Sequence, residues 1–223
     1  MVGGDGVGEG GSGRVGPRTR RGVRTREALV AAAREVFERD GYIDSRISDI
    51  AKAAGMASGS FYTYFDSKEE VFAALVEQVR EEMLHPHLRE RSGITDARSL
   101  IEAANRDYLE SYRRNARLMG LFEQVAQVDE NFRRMRVERG KAFVQRNARM
   151  IRALQESGQA SAELDPSITA HALSAMVSRM AYTVFVQHQR ISFEKLVTTL
   201  NQLWINGLQL TPAEPTDEDS AHD

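Results

Sequence analysis

One short stretch of the sequence has residue types suited to contacting the edges of nucleic-acid bases. Four small residues are followed closely by two tyrosines. The set consists of Ala57, Ser58, Gly59, Ser60, Tyr62 and Tyr64. Small side chains let a backbone approach a duplex closely, and hydroxyl groups hydrogen-bond to bases and phosphates. These residue types therefore indicate binding to a nucleic acid.

Two helical patterns that meet at Gly55 would position this stretch. Four residues before the glycine fall at the i, i+3, i+4, i+7 spacing of one buried helical face: Ile47, Ile50, Ala51 and Ala54. Gly55 is then expected to adopt the left-handed conformation that ends the first helix. Ser58 is expected to cap the second helix, with Phe61 and Phe65 facing inward. Two short helices around a glycine turn predict a helix-turn-helix, whose second helix enters the major groove.

The segment from Gly41 to Phe72, GYIDSRISDIAKAAGMASGSFYTYFDSKEEVF, resembles the TetR family of transcriptional regulators. The order and spacing of its short motifs carry the resemblance, and the segment covers roughly the first third of the chain. These motifs are Gly41-Tyr42, Asp49-Ile50-Ala51, Ala54-Gly55, Tyr62-Tyr64-Phe65 and Ser67-Lys68-Glu69. Arg46 departs from the family pattern, which usually has a capping threonine there. We expect Ser45 to provide the cap and Arg46 to reach a phosphate.

The resemblance implies a homodimer that binds a palindromic DNA operator and is released by a small effector. It assigns Ser58, Gly59, Ser60, Tyr62 and Tyr64 to the groove, and the expected interface also includes Ser48 and Ala57. For both tyrosines, packing inside the small domain is the alternative interpretation. Lys68, at the start of a helix, is expected to contact a phosphate.

An arginine-rich segment precedes the first predicted helix, which spans about Arg24 to Arg39. The arginines expected to contact DNA are Arg18, Arg20, Arg21 and Arg24. Such an arm can follow phosphates or enter the minor groove, although a solvated charged tail is the alternative. The net charge of −2 hides a basic excess at this end, where residues 14–68 carry eleven basic and seven acidic side chains.

Helical patterning along the chain predicts an all-α protein, and the length predicts two domains. We expect a disordered glycine-rich tail (1–16), a three-helix DNA-binding domain with its arm (17–68), a larger helical effector-binding and dimerisation domain (69–210) and a disordered acidic tail (211–223). The sequence has no cysteine, which excludes thiol chemistry, and no apolar run long enough to span a bilayer. We therefore expect a cytoplasmic protein that does not contact a membrane.

Neither a metal site nor a catalytic site is predicted. His85 and His87 flank a proline, but no third ligand lies at helical spacing from them. Gly140-Lys141 lacks the rest of a phosphate-binding loop. We therefore predict no cofactor and no enzymatic activity.

The C-terminal segments are helical throughout and contain two candidate sites. The last two helices are predicted at about Ser167 to His188 and Ser192 to Leu208, and Asp165-Pro166 is predicted to start the first of them, with proline in the first turn. Both helices are rich in apolar residues and are predicted to pair with the same helices of a second subunit. The predicted interface residues are Val177, Val184, Leu196, Leu200, Leu203 and Trp204. A mostly apolar effector pocket is predicted at Tyr108, Tyr112, Met119, Phe122, Met176 and Tyr182, with plain core packing as the alternative.

Two other interpretations remain open at this stage. An arginine-rich face between Asp129 and Glu156 is either simply solvated or a contact for an anionic effector or DNA. For the whole chain, the main alternative to a ligand-responsive regulator is a helix-turn-helix protein without an effector, with an architectural or constitutive role. A helical enzyme would require a cluster of titratable groups in a cleft.

Overall fold

A computed structural model describes residues 19–84 and 96–210, and every regular element in these residues is helical. The elements are α1 (Arg20–Asp44), α2 (Ile47–Ala53), α3 (Ser58–Phe61), α4 (Lys68–Leu84), α5 (Ala97–Arg114), α6 (Ala116–Val128), α7 (Glu130–Glu156), α8 (Pro166–Ala181), a π-helical turn (Tyr182–Val186) and α9 (Phe193–Leu208). This confirms the predicted all-α fold. Both predicted tails, Arg18 and the histidines at 85 and 87 lie outside the described residues.

The chain forms two compact units, Met1–Leu75 and Val76–Asp223. The boundary between them falls within α4, whereas the sequence-based division after residue 68 stays a prediction. None of the helices in the described residues is both long and apolar enough to cross a membrane.

The core of the first unit is built around α1. Its inward face includes Leu29, Ala33, Val36 and Phe37, all fully buried. Gly41 interrupts the helix with a φ of 80°. The chain can then turn so that the ring of Tyr42 lies 5.7 Å from that of Phe37 and 4.8 Å from that of Phe72. Gly55 has a φ of 69°, which confirms its predicted left-handed conformation.

Helix starts in this unit differ from the predicted caps. Thr19 caps α1, since its hydroxyl accepts from the Gly22 N–H at 3.1 Å, so the helix begins before Arg24. Ser45 lies at the end of α1, where its hydroxyl donates to the Tyr42 carbonyl at 2.8 Å. It therefore satisfies a carbonyl released by α1 instead of capping α2. The prediction for Ser58 was also wrong, because Ala57 occupies the extended N-cap position of α3.

In the second unit, α5 and α9 run antiparallel. Asn105 on α5 donates to the Asn201 side chain on α9 at 2.9 Å, and both residues are buried. One residue further along α5, Arg106 makes a two-pronged ion pair with Glu194, which lies earlier on α9. The pairing order fixes the direction of α9 and places Trp204 towards the beginning of α5.

The ends of α8 show local constraints that the sequence pattern partly revealed. Asp165 accepts from the Ile168 N–H at 2.7 Å and Pro166 occupies the first turn, as the sequence predicted. The helix then ends in the π-helical turn instead of continuing to His188. A Cβ on buried Gly120 would lie 2.9 Å from Val186 Cγ1, so α6 can approach this turn only with glycine there.

Candidate nucleic-acid interface and ligand cavity

The N-terminal end of α3 is exposed while the rest of its motif is anchored in the core. Ala57, Ser58, Gly59 and Ser60 are all exposed. Phe61 and Phe65 are almost completely buried, with ring centroids 5.7 Å apart, which confirms that they face inward. The buried rings thus hold a short helix whose first turn is accessible to a duplex.

The two tyrosines of the motif differ in exposure. Tyr62 is 51% exposed, and its ring packs edge-on against Phe61 with centroids 5.6 Å apart. Tyr64 is only half-buried. Arg46 and Ser48, near the start of α2, are exposed as well. The geometry is compatible with groove contacts by both tyrosines and with a packing role for part of Tyr64.

The predicted arginine arm is helical from Arg20 onward. Arg20, Arg21 and Arg24 are exposed on the first two turns of α1, and no acidic residue lies in the first turn. Cations at a helix N-terminus oppose the helix dipole, by about 0.3–1 kcal/mol each at exposed positions. The same end attracts phosphate, because its N–H groups and the arginines act together. An anionic partner would offset this unfavourable arrangement.

Lys68 has a structural role that the sequence did not indicate, and its phosphate contact stays a prediction. Its Nζ donates to the carbonyls of Tyr42, Ile43 and Ser45 at 2.7, 3.1 and 3.1 Å. The same ammonium lies 4.7 Å from the centre of the Tyr42 ring. All three donor positions are therefore used to tie the turn between α1 and α2 to the start of α4. Position at a helix start could not reveal this role.

The second unit contains a cavity of about 970 Å³ lined mainly by α5, α7 and α8. Tyr108, Tyr112 and Tyr182, three of the six predicted effector residues, line it. Tyr108 packs edge-on against Phe143 with centroids 5.4 Å apart. Burial raises the pKa of both Tyr108 and Tyr112 above the usual value. Their hydroxyl groups therefore stay protonated and can donate hydrogen bonds at neutral pH.

The other three predicted effector residues do not line the cavity. Met119 and Phe122 lie on the buried side of α6, where Phe122 packs edge-on against Phe132. Met176 is half-buried on α8 and is likewise absent from the wall. Helical spacing marked these side chains as apolar, but it could not distinguish the core side of a helix from its cavity side.

Several wall residues were not predicted from the sequence. Apolar contributions come from Ile101, Phe143, Val144, Val177 and Trp204. The basic contributions are Arg136, Arg139, Lys141, Arg146 and Arg179, against a single carboxylate at Glu123. The arginine-rich pattern of α7 was the signal for the basic residues on that helix, whereas Arg179 lies on α8. No pattern in the sequence indicated Trp204.

Five of the six residues predicted at the dimer interface are buried within the single chain. These are Val177, Val184, Leu196, Leu200 and Trp204, and only Leu203, 46% exposed, is accessible. The five therefore stabilise the subunit's own core, and Val177 and Trp204 also line its cavity. An apolar stripe predicts burial but does not say whether the same chain or a second chain provides it.

The arrangement defines a class of protein. An exposed helix-turn-helix in one unit and a sizeable cavity in a second helical unit are the parts of a DNA-binding transcriptional regulator. Among the described residues there is no group of three or more histidine or acidic side chains that could hold a metal.

Comparison with known proteins identifies the family. The model for bacterial regulatory proteins of the tetR family matches residues 29–75, and the model for the C-terminal domain of the transcriptional regulator EthR matches residues 101–208. The chain belongs to the TetR family of transcriptional regulators. The regulator EthR of Mycobacterium tuberculosis is 27% identical over 207 residues, which cover 86% of this chain and 93% of EthR.

Two solved structures share the fold. FadR from Bacillus subtilis, in complex with stearoyl-CoA, matches with a TM-score of 0.71 and 20% identity, covering 81% of this chain and 98% of that one. SmeT, the repressor of a multidrug efflux pump of Stenotrophomonas maltophilia, matches with a TM-score of 0.69 and 22% identity, covering 84% and 91%.

Proposed function

We propose that this regulator is a repressor that binds a palindromic operator as a homodimer and is released by a mainly apolar effector. The observation that carries the proposal is the pairing of an exposed helix-turn-helix with a cavity of about 970 Å³ in the other unit. A cavity of this size is at the upper end of the range for small-molecule sites. The stearoyl-CoA complex of FadR and the repressor role of SmeT support this class of mechanism.

Operator reading is assigned to the exposed start of α3 together with Tyr62. Ser58, Gly59 and Ser60 bring the backbone close to the groove, where a Cβ on Gly59 would meet nothing within 4 Å beyond its own helical turn. Arg46 and the arginines at the start of α1 contact phosphates. Base contacts set the sequence preference, and the phosphate contacts supply affinity that falls with salt.

Dimerisation is assigned to an apolar face that retains only Leu203 from the residues predicted at the interface. Leu173, Met176 and Met180 form one stripe of α8, at i, i+3 and i+7. Leu173 Cδ2 lies 3.5 Å from the Cβ position of Gly207, so this stripe lies beside α9. Leu203, one turn before Gly207, is accessible there. A second copy of the face would cover these side chains.

The experiment begins by selecting genomic DNA fragments with the purified protein and mapping the protected sequence. Binding to that fragment and to a scrambled one is then measured by fluorescence anisotropy, with and without acyl and aromatic compounds. We expect a palindromic site, two protomers per site and weaker binding with at least one compound. Binding without sequence preference, and without any ligand effect, would favour the architectural alternative instead.

A further inference from the structure

The charge of the cavity wall is one-sided. Five cationic side chains and one carboxylate line it. Arg136 pairs with Glu123 at 3.2 Å, and Lys141 pairs with Glu138 at 2.7 Å. The described residues provide no carboxylate partner for Arg139 or Arg179, so these two arginines leave a positive excess at the cavity.

Arg139 contributes most clearly to that excess. Among the described residues, no carboxylate lies within ion-pair distance of it, and its hydrogen bond goes to the thioether of Met83 at 3.4 Å. A thioether is a weak acceptor, so a half-buried guanidinium with five donors is poorly satisfied there. Arg139 is also close enough to the phenols of Tyr108 and Tyr112 to oppose the effect of burial on the pKa of each.

Arg179, on α8, is exposed but likewise has no carboxylate partner among the described residues. Its guanidinium lies 5.5 Å from the centre of the Tyr182 ring, and the described residues provide it with no ion-pair partner. A cation over a ring keeps its in-plane N–H groups available for an acceptor. Two helices thus bring arginines without carboxylate partners to the same cavity.

The other end of the cavity is different in character. Trp204 and Ile101 line it where α9 meets the beginning of α5. The helical rise puts Ile101 about 16 Å along α5 from Tyr112, which lies near Arg139. Trp204 is only 3% exposed, and its buried indole Nε1–H finds no hydrogen-bond acceptor among the described residues. The cavity is therefore long and basic towards one end, and towards the other it is lined by the apolar side chains of Trp204 and Ile101 together with Asn105.

We infer that the cavity takes an elongated amphiphile with an anionic head group, bound by Arg139 and Arg179, and an apolar chain that extends towards Trp204. Carboxylate and phosphate head groups share the required chemistry, because both accept two parallel N–H bonds from a guanidinium. The inference rests on the proposed function in taking this cavity as the effector site. It adds the charge of the ligand and the direction in which the ligand lies.

Direct binding tests the inference without DNA. Trp204 is the single tryptophan of the chain, so its fluorescence reports on occupancy of the apolar end. Dodecanoate, 1-dodecanol and dodecyltrimethylammonium share one chain and differ in head-group charge. We expect dodecanoate to bind about tenfold or more tightly than the alcohol, the gain of one good charge-assisted hydrogen bond, and the ammonium to bind weakest. Comparing dodecanoate with dodecyl phosphate and dodecanoyl-CoA distinguishes a free acid from a phosphate-bearing lipid as the source of the anionic head group.

Variants locate the head group. Arg139→Gln is expected to weaken dodecanoate binding about tenfold and leave 1-dodecanol binding unchanged. Arg149→Gln is the matched control, since Arg149 is exposed on the same helix and does not line the cavity. Arg179→Gln repeats the test from α8 should Arg139→Gln fold poorly, as judged by circular dichroism.

Equal binding of dodecanoate and 1-dodecanol by the wild type would overturn the inference. The inference would also be overturned if Arg139→Gln, or Arg179→Gln in its place, weakened the binding of dodecanoate and of 1-dodecanol equally. The proposed function fails separately, if dodecanoate binds with the expected charge preference but leaves operator affinity unchanged. Conversely, release from the operator by the uncharged alcohol alone would keep the repressor proposal and remove the anionic head group.

Discussion

Replacing Lys68 by methionine distinguishes a structural cation from a phosphate contact. The methionine keeps the apolar stem and removes the ammonium, which donates to the carbonyls of Tyr42, Ile43 and Ser45. A hydrogen bond from a charged donor contributes about 1.5–3 kcal/mol. Because Lys68 is only half-buried, we assign each of its three hydrogen bonds about 1 kcal/mol, below the lower end of that range. We therefore expect Lys68→Met to lower the free energy of unfolding by about 3 kcal/mol. That is a large part of a typical domain stability.

Two measurements test the Lys68→Met variant. Amide hydrogen exchange, followed by mass spectrometry on peptides around residues 40–48, reports the free energy of local opening. Salt titration of operator binding reports how many phosphates the protein neutralises, and the slope falls by about 0.9 for each phosphate that a variant no longer neutralises. For Lys68→Met we expect faster exchange and an unchanged slope, whereas Arg24→Gln should leave exchange unchanged and reduce the slope. Unchanged exchange together with a slope reduced by about one would refute the structural role of Lys68.

Three further variants test the groove, the dimer and the cavity. Tyr62→Ala should weaken the affinity for the operator about tenfold or more in anisotropy titrations, yet stay folded because Phe61 and Phe65 remain. An affinity equal to that of the wild type would place Tyr62 outside the groove. Leu203→Glu should shift the protein towards monomer in sedimentation. The control is Gln202→Glu, beside it on the exposed side of α9, which should stay dimeric. A dimeric Leu203→Glu variant would place the interface elsewhere. Gly140→Phe should block ligand binding at nearly unchanged DNA affinity, because Gly140 lines the cavity. Gly140→Ala is the control, since its Cβ would meet nothing within 4 Å beyond its own helical turn. A full ligand response in Gly140→Phe would place the ligand site elsewhere.

Local patterns were sufficient to predict the fold and the helix-turn-helix. Helical spacing, Gly55 and the Asp165-Pro166 start act over a few residues, so they can be read without knowing what packs against them. The recognition helix is equally local, since Phe61 and Phe65 fix which side of α3 is exposed. Lys68 marks the limit of this approach, because its three carbonyl partners lie 23 to 26 residues away in the chain.

The cavity and the interface depend on contacts between distant helices. Tyr108, Tyr112 and Met119 look alike as apolar positions at helical spacing, yet only the tyrosines face the cavity. Trp204 was assigned to a second subunit because α9 is apolar, whereas α5 of the same chain covers it. Which neighbour buries an apolar residue is decided by helix packing, and periodicity carries no information about that choice.

The last prediction concerns how ligand binding could reach the DNA-reading unit. Helix α4 carries the chain from one unit to the other, and a cationic side chain forms hydrogen bonds at each of its ends. Lys68, its first residue, donates to the Tyr42 carbonyl within the first unit, and Arg139 donates to Met83 within the second. A ligand releases DNA only by the difference in its affinity for two conformations. An anion that draws Arg139 away from Met83 would change a contact of α4 itself and so provide such a difference. Met83→Leu keeps the apolar volume and removes the sulfur acceptor, so we expect dodecanoate to bind as in the wild type while its effect on operator affinity decreases. Ligand-induced release equal to that of the wild type would show that the coupling does not depend on this contact.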